Sequence, residues 1–171
     1  MNSKKEIYVD LILPILSCYN KTMKEFLTNN FEQTQSLASR IASFVYPGLV
    51  ITLNGDLGAG KTTFTQGFSR ALGVKSRVKS PTFNIMNTYM ARDFPIYHFD
   101  AYRLEMTGAA NQGFEDFIGT DGVTLIEWPQ YMNDLLPNNR LDITFTRGED
   151  DNERTISIAG VGSVIEIEEK L

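Results

Sequence analysis

Apolar residues change their spacing several times from Lys24 onward, and the changes predict an α/β fold in which strands and helices alternate. Lys24–Thr28 reads as a short strand. Asn30 is a good helix N-cap, with Gln33 three residues on as its reciprocal partner. Leu37, Ala38, Ile41, Ala42 and Val45 then recur at helical spacing until Pro47-Gly48 stops the run. Residues 49–53 (LVITL) form an apolar strand run. Residues 61–72 return to helical spacing, with Phe64, Phe68, Ala71 and Leu72 on one face and Gly73 placed to cap the end. Residues 84–91 and Pro95–Asp100 read as strands, residues 114–118 as a helical turn, and Val123–Glu127 as a strand buried on both faces. Leu141, Ile143 and Phe145 alternate with polar residues, and so do Ile156 and Ile158, across a polar turn at 148–153, which predicts an antiparallel hairpin with one wet face. Residues 164–171 fit strand or helix, with helix favoured.

The segment between the second strand and the second helix carries the chemistry. Residues 55–62 (GDLGAGKT) fit G-x-x-x-x-G-K-[ST] without a mismatch. With glycine near ~7% of residues, a chain of this length matches by chance less than about one time in a hundred. In this context the backbone N–H groups of Gly55, Asp56, Leu57, Gly58, Ala59 and Gly60 curl into an anion cradle, and the helix points its positive end at the phosphates. Lys61 reaches the β- and γ-phosphates and the Thr62 hydroxyl ligates Mg²⁺; Thr63 is expected among the nucleotide-binding residues with them. The expected ligand is a nucleoside triphosphate with Mg²⁺. The expected fold is a three-layer P-loop NTPase-like domain: a mixed, mostly parallel sheet with helices on both faces and the C-terminal antiparallel hairpin.

Composition narrows the partners. The 171 residues carry 42% hydrophobic content, enough for one core and too few for two domains of this kind. A net charge of −5 disfavours tight, non-specific binding to nucleic acid, so a role on RNA is expected to run through partners. The single cysteine, Cys18, fits a reducing, cytoplasmic setting and reads as an ordinary small apolar residue. Residues 1–22 have the outline of a short leader, with Lys4-Lys5 before an apolar run, but the run is too short to span a bilayer and Asp10 interrupts it. Because domain-like patterning begins at Lys24, the alternative is a loosely attached extension, with Met23 as the functional start of a domain over residues 23–171. No membrane association is expected.

Phosphate chemistry also needs a carboxylate at the tip of a strand beside the P-loop strand, and a group to position the attacking water. Glu127 ends the most apolar strand and is the better candidate for a metal ligand. Asp100 ends Pro95–Asp100 and is a candidate for holding a metal-bound water or orienting the nucleophile. For each, the bland reading is a helix N-cap or a solvated strand end. His98, the only histidine, lies on the opposite strand face from Phe99, and a packing or structural hydrogen-bonding role is expected for it. Trp128 reads on base rates as core, and Ser80-Pro81-Thr82-Phe83 sits where a switch loop is expected, with Thr82 a candidate sensor of γ-phosphate or metal.

Residues 55–63 (GDLGAGKTT), 79–83 (KSPTF), 98–104 (HFDAYRL) and 125–130 (LIEWPQ) together closely resemble the TsaE (YjeE) family, in order and with compatible spacings over residues 23–159. That family comprises small bacterial P-loop ATPases needed for threonylcarbamoyladenosine formation at position 37 of tRNAs that read codons beginning with A. The resemblance implies that Lys61 binds phosphate, that Thr62 and Glu127 ligate Mg²⁺, that Asp100 is needed for ATP hydrolysis and that Trp128 supports the site. It implies TsaD and TsaB as partners, with tRNA met only through the complex. ATP binding would favour assembly and hydrolysis would reset it. Two departures stand out: the first 22 residues have no counterpart, and 106–113 (MTGAANQG) lacks the acidic helical stretch usual after the HFDxYRL motif.

Two rival classes remain open on residues alone. A small-molecule kinase would use the same loop and acids, but it usually carries an arginine-bearing lid, and Arg70, Arg77, Arg92 and Arg103 are scattered along the sequence. A GTP-dependent switch would use Asp116-Phe117-Ile118-Gly119 as D-x-x-G, yet no N-K-x-D motif accompanies it. For the adenine, Phe31 at the start of the first helix is a candidate stacking ring.

Overall fold

The computed structural model describes residues 23–171; the leader-like segment 1–22, with Cys18, lies outside the described residues. Seven strands form one sheet: β1 (Lys24–Thr28), β2 (Val50–Asn54), β3 (Met86–Met90), β4 (Pro95–Asp100), β5 (Val123–Glu127), β6 (Arg140–Arg147) and β7 (Arg154–Val161). Their order is β1-β7-β6-β2-β5-β4-β3. The four central strands, β6, β2, β5 and β4, run parallel, while β3, β7 and β1 add antiparallel margins. The β6–β7 hairpin and the C-terminal helix form as expected.

Three α-helices are α1 (Phe31–Ala42), α2 (Lys61–Ala71) and α3 (Ile165–Lys170). The Asn30 side chain accepts from the Gln33 N–H at 2.9 Å, while the Gln33 side chain returns to the Asn29 N–H at 2.8 Å, one residue earlier than a standard capping box. The helix ends at Ala42, before the expected proline stop. The Ser43 and Phe44 N–H groups turn back to the Arg40 and Ile41 carbonyls, so Phe44 and Val45 pack from a loop. Gly67 lets α1 and α2 meet closely: a Cβ there would lie 2.7 Å from the Gln35 Cα.

The two faces of the sheet are covered unequally. One packs Ile51, Leu53, Leu125, Leu141, Ile143 and Ile158 beneath all three α-helices. The other packs Val50, Tyr97, Phe99 and Ile126 beneath short 3₁₀ segments at 101–105, 114–117 and 129–135. Strand β3 is shorter than the apolar pattern suggested, because Asn84 and Ile85 both donate to the Pro81 carbonyl and wind residues 81–85 into a turn. Ile85 there has φ 66°, an unfavourable conformation for a β-branched residue, and its carbonyl accepts the Asp100 N–H at 2.8 Å. Among the described residues no helix is long and apolar enough to cross a membrane.

Candidate nucleotide and metal site

Strand periodicity puts the acidic residues under the P-loop. Side chains alternate between faces, so Ile96, His98 and Asp100 share the face that also carries Val123, Leu125 and Glu127. Asp100 pairs with Glu127 in the β4–β5 register, and Leu53 pairs with Glu127 in the β2–β5 register. Both carboxylates therefore arrive at the strand ends where β2 gives way to the loop. This is the edge at which open α/β sheets bind ligands.

The loop is shaped by glycine. Gly55, Gly58 and Gly60 have φ of 137°, 75° and 110°. A Cβ on Gly55 would sit 2.5 Å from the Phe145 carbonyl oxygen, so the β2 exit can pass β6 only without a side chain. Helix α2 begins at Gly60 with no side-chain cap and no acid in its first turn, in contrast to α1 with its Asn30 cap and Glu32. Its first N–H groups have no intrahelical acceptor and point an unneutralised positive helix end at the cavity. An uncapped terminus of this kind suits a phosphate group.

That cavity, of about 280 Å³, is lined by Leu57, Gly58, Gly60, Lys61, Thr62, Thr63, Ser80, Thr82, Asp100, Tyr102, Glu127 and Trp128. The Thr62 Oγ1 donates to Glu127 Oε1 at 3.2 Å. Among the described residues no cluster of three or more His, Cys, Asp or Glu side chains could ligate a metal by itself. Mg²⁺ needs none: it keeps waters and takes phosphate oxygens with one or two protein oxygens. A hydroxyl and a carboxylate oxygen side by side at the foot of the phosphate cradle fit that ion.

Lys61 is held inward. Its Nζ donates to the Gly55 and Asp56 carbonyls at 2.6 and 2.8 Å and lies 4.3 Å from the centre of the Trp128 ring. Burial pushes its ammonium below the usual lysine range, and the negative charges of Glu127, Asp100 and Asp56 partly restore it. Trp128 has φ 59°; a tryptophan in this region, directly before a proline, is strained, and the turn brings its ring over the lysine. Tyr102 and Tyr131 flank that ring, with centroids 5.1 and 6.5 Å away.

Asp100 is already engaged at both oxygens. Its Oδ1 accepts the Tyr102 N–H at 3.1 Å, the N-cap arrangement that was the bland reading, and its Oδ2 accepts from Ser80 and Thr82 hydroxyls at 2.8 and 3.0 Å. Thr82 thus reaches the cavity as a partner of Asp100. His98 is fully buried, and its Nε2 lies 3.0 Å from Glu127 Oε1; since a carboxylate only accepts, the ring proton belongs on Nε2. Its Nδ1 is buried without a partner among the described residues.

Sequence reasoning missed three contributors. Ser80 shares Asp100 with Thr82, and its place two residues before Thr82 in the same loop was the available signal. The other two are arginines from the hairpin: Arg147 donates to the Leu57 carbonyl at 2.6 Å, and Arg154 donates to the Ala59 and Gly58 carbonyls at 2.9 and 3.3 Å. These bonds tether the P-loop carbonyls on the side of β6 and β7. Nothing local in sequence marks them, because the loop lies about ninety residues away. Two candidates lie elsewhere. Phe31 is 62% exposed and is not among the residues lining the cavity, and neither is the D-x-x-G segment, whose Asp116 is exposed in the 114–117 turn.

Comparison with known proteins places the chain in a family. Residues 28–156 match the family model described as threonylcarbamoyl adenosine biosynthesis protein TsaE. A tRNA threonylcarbamoyladenosine biosynthesis protein TsaE from Bacillus subtilis (strain 168) is 44% identical over 140 residues, covering 82% of this chain and 87% of the relative. The protein of the same name from Rickettsia felis is 37% identical over 134 residues, covering 77% of each chain. A crystal structure of Bacillus subtilis YdiB superposes with a TM-score of 0.76 at 38% identity, covering 87% of this chain and 93% of that one. On sequence and on fold alike, the chain belongs to the TsaE family.

Proposed function

We propose that this protein is the Mg²⁺-dependent ATPase subunit of the cytoplasmic machinery that makes threonylcarbamoyladenosine in tRNA, acting with TsaB and TsaD and not itself modifying the tRNA. The relatives' names support the tRNA-modification role. The observation that carries the ATPase reading is the convergence of Thr62 and Glu127 oxygens, 3.2 Å apart, at the foot of an uncapped helix that also carries Lys61.

In this reading the glycine loop binds the phosphates through its amides, and Lys61 leaves the Gly55 and Asp56 carbonyls to pair with the β- and γ-phosphates. Mg²⁺ between Thr62 and Glu127 would supply charge neutralisation on the same oxygens. Asp100 orients the attacking water, and Ser80 and Thr82 hold its carboxylate in place until the nucleotide arrives. Trp128 covers the lysine and shapes the wall beside it.

Lys61 is the sole cation among the described residues that line the cavity. Without an arginine near the transferred phosphoryl group, the chain lacks transition-state stabilisation of roughly 10³–10⁵-fold. Slow hydrolysis alone and faster hydrolysis with partners follow. The test is to purify the full chain, measure ATP hydrolysis with and without TsaB–TsaD, and compare ATP-dependent co-purification for wild type and Glu127→Ala. Equal rates with and without the partners, or co-purification indifferent to ATP, would defeat the proposal.

A further inference from the structure

The net charge of −5 averages over a surface on which charge is segregated. Residues 57–92 contain six of the chain's sixteen Lys and Arg and none of its twenty-one Asp and Glu. Four of the six, Arg70, Lys75, Arg77 and Lys79, fall at the end of α2 and in the loop that follows. Two of the four arginines that looked scattered in sequence are brought together: Arg70 and Arg77, with Lys75, line one open cleft of about 430 Å³, with Gln66 and Ser76 beside them.

The cleft stands on a pinned backbone. Val74 and Val78 are buried in the main core, which forces Lys75, Ser76 and Arg77 outward between them. The Gly73 and Val74 N–H groups bond back to the Arg70 and Ser69 carbonyls at 3.0 Å, and Gln66 Nε2 donates to the Val78 carbonyl at 3.2 Å. The three cationic side chains are exposed, and among the described residues none pairs with a carboxylate. Gathering like charges without a counter-charge works against the fold, so the arrangement suits an anionic ligand.

We propose that this cleft binds phosphates of an RNA backbone directly. Two arginines offer forked donors for phosphate oxygens, and Ser76 and Gln66 offer neutral hydrogen-bonding groups of the kind that contact phosphate and ribose. An acidic protein segment would look for exposed apolar anchors as well, and the two valines here are buried. The choice of RNA rests on the tRNA-modification reading above. It also revises the expectation from net charge that RNA is met only through partners.

The test is anisotropy of a fluorescein-labelled RNA stem–loop titrated with the full chain between about 50 and 200 mM salt. Wild type is expected to bind in the ~10⁻⁴–10⁻⁶ M range. The variant Arg70→Gln/Lys75→Gln/Arg77→Gln is expected to bind at least tenfold more weakly, with a log–log salt slope shallower by about 2–3. Arg70→Lys/Arg77→Lys keeps the charge and should retain most of the affinity. Equal binding by wild type and the triple Gln variant overturns the proposal. So does poly-glutamate binding as tightly as RNA, which would point to an acidic protein partner. So does full displacement of RNA by inorganic phosphate at matched phosphate concentration, which would indicate a small-anion site. ATP binding, read from Trp128 fluorescence, should be the same in all variants; RNA binding without any ATP binding would sink the ATPase reading and leave this one standing.

Discussion

The Thr62 Oγ1 lies 3.2 Å from Glu127 Oε1 although sixty-five residues separate them in the chain. One is the first hydroxyl of the P-loop helix and the other the last residue of the neighbouring parallel strand, and the β2–β5 register that pairs Leu53 with Glu127 fixes their approach. If this pair holds Mg²⁺, Glu127→Ala should lower ATP hydrolysis by about 10²–10³-fold, the scale on which loss of one charge-stabilising group acts. It should also raise the Mg²⁺ concentration for half-maximal activity. A steady-state assay across Mg²⁺ concentrations checks both, and an unchanged Mg²⁺ dependence would remove Glu127 from the metal site.

His98 acts through Glu127. The buried ring donates to the same Oε1 that Thr62 reaches, so it sets the direction of the carboxylate. His98→Phe keeps a flat ring, though a larger one, and removes the donor. Loss of such an orienting contact typically costs 10–100-fold in metal affinity, and leaving the buried Glu127 carboxylate one partner short should cost about 1–3 kcal/mol of stability. Mg²⁺ titration of the nucleotide complex, followed by Trp128 fluorescence, separates this effect from misfolding. Partial rescue in His98→Gln would support a hydrogen-bonding role over a purely steric one.

Lys61 should cost the ligand-free protein some stability. Its ammonium is depressed below the usual lysine range by burial, so the folded state binds its proton less tightly than the unfolded chain does. Lys61→Met should therefore raise the unfolding free energy of the nucleotide-free protein at neutral pH, by up to ~1 kcal/mol, while abolishing ATP binding. Because stability rises with pH wherever the unfolded state holds more protons, wild type should catch up with the variant as pH climbs from the lowered folded value towards the ordinary lysine value of 10.5. Urea unfolding at several pH values tests this. A variant less stable than wild type throughout would show that the carbonyl contacts outweigh desolvation.

Arg154 supports the cradle from behind. Its bonds to the Ala59 and Gly58 carbonyls are partly exposed, so Arg154→Ala should cost about 1 kcal/mol of loop order, and ATP affinity should fall by roughly fivefold. Turnover at saturating ATP should change much less, because the arginine does not line the cavity. Titration calorimetry with a non-hydrolysable ATP analogue gives the first number and a saturated assay the second. A turnover loss larger than the affinity loss would mean that the arginine acts on the chemistry.

Much of this molecule was legible from local pattern. The P-loop is readable because its function lies in backbone conformation, and Gly55, Gly58 and Gly60 are the residues that permit positive φ. Strand β5 declared itself by four apolar or half-apolar positions followed by an acid, and both faces of it are buried. Helix ends were less legible: α1 stops short of Pro47 because two carbonyls are satisfied by a tight turn that the apolar spacing does not encode. The early end of the 84–91 run came from Ile85 adopting a left-handed conformation, which a β-branched residue does not advertise.

By itself the sequence determined which residues can do the chemistry: a loop that can bend around phosphates, a lysine and hydroxyl directly behind it, and two acids at strand tips. These are local properties, set by side-chain type and backbone freedom over a few residues. Only the tertiary structure decided what those residues face. The loop before β3 set Ser80 and Thr82 against Asp100, strand register brought His98 beside Glu127, and the hairpin brought Arg147 and Arg154 to the P-loop. It also gathered Arg70, Lys75 and Arg77 into one cleft. The reason is physical: long-range contacts are selected by the burial of whole sheet faces, and no short window of sequence contains both partners.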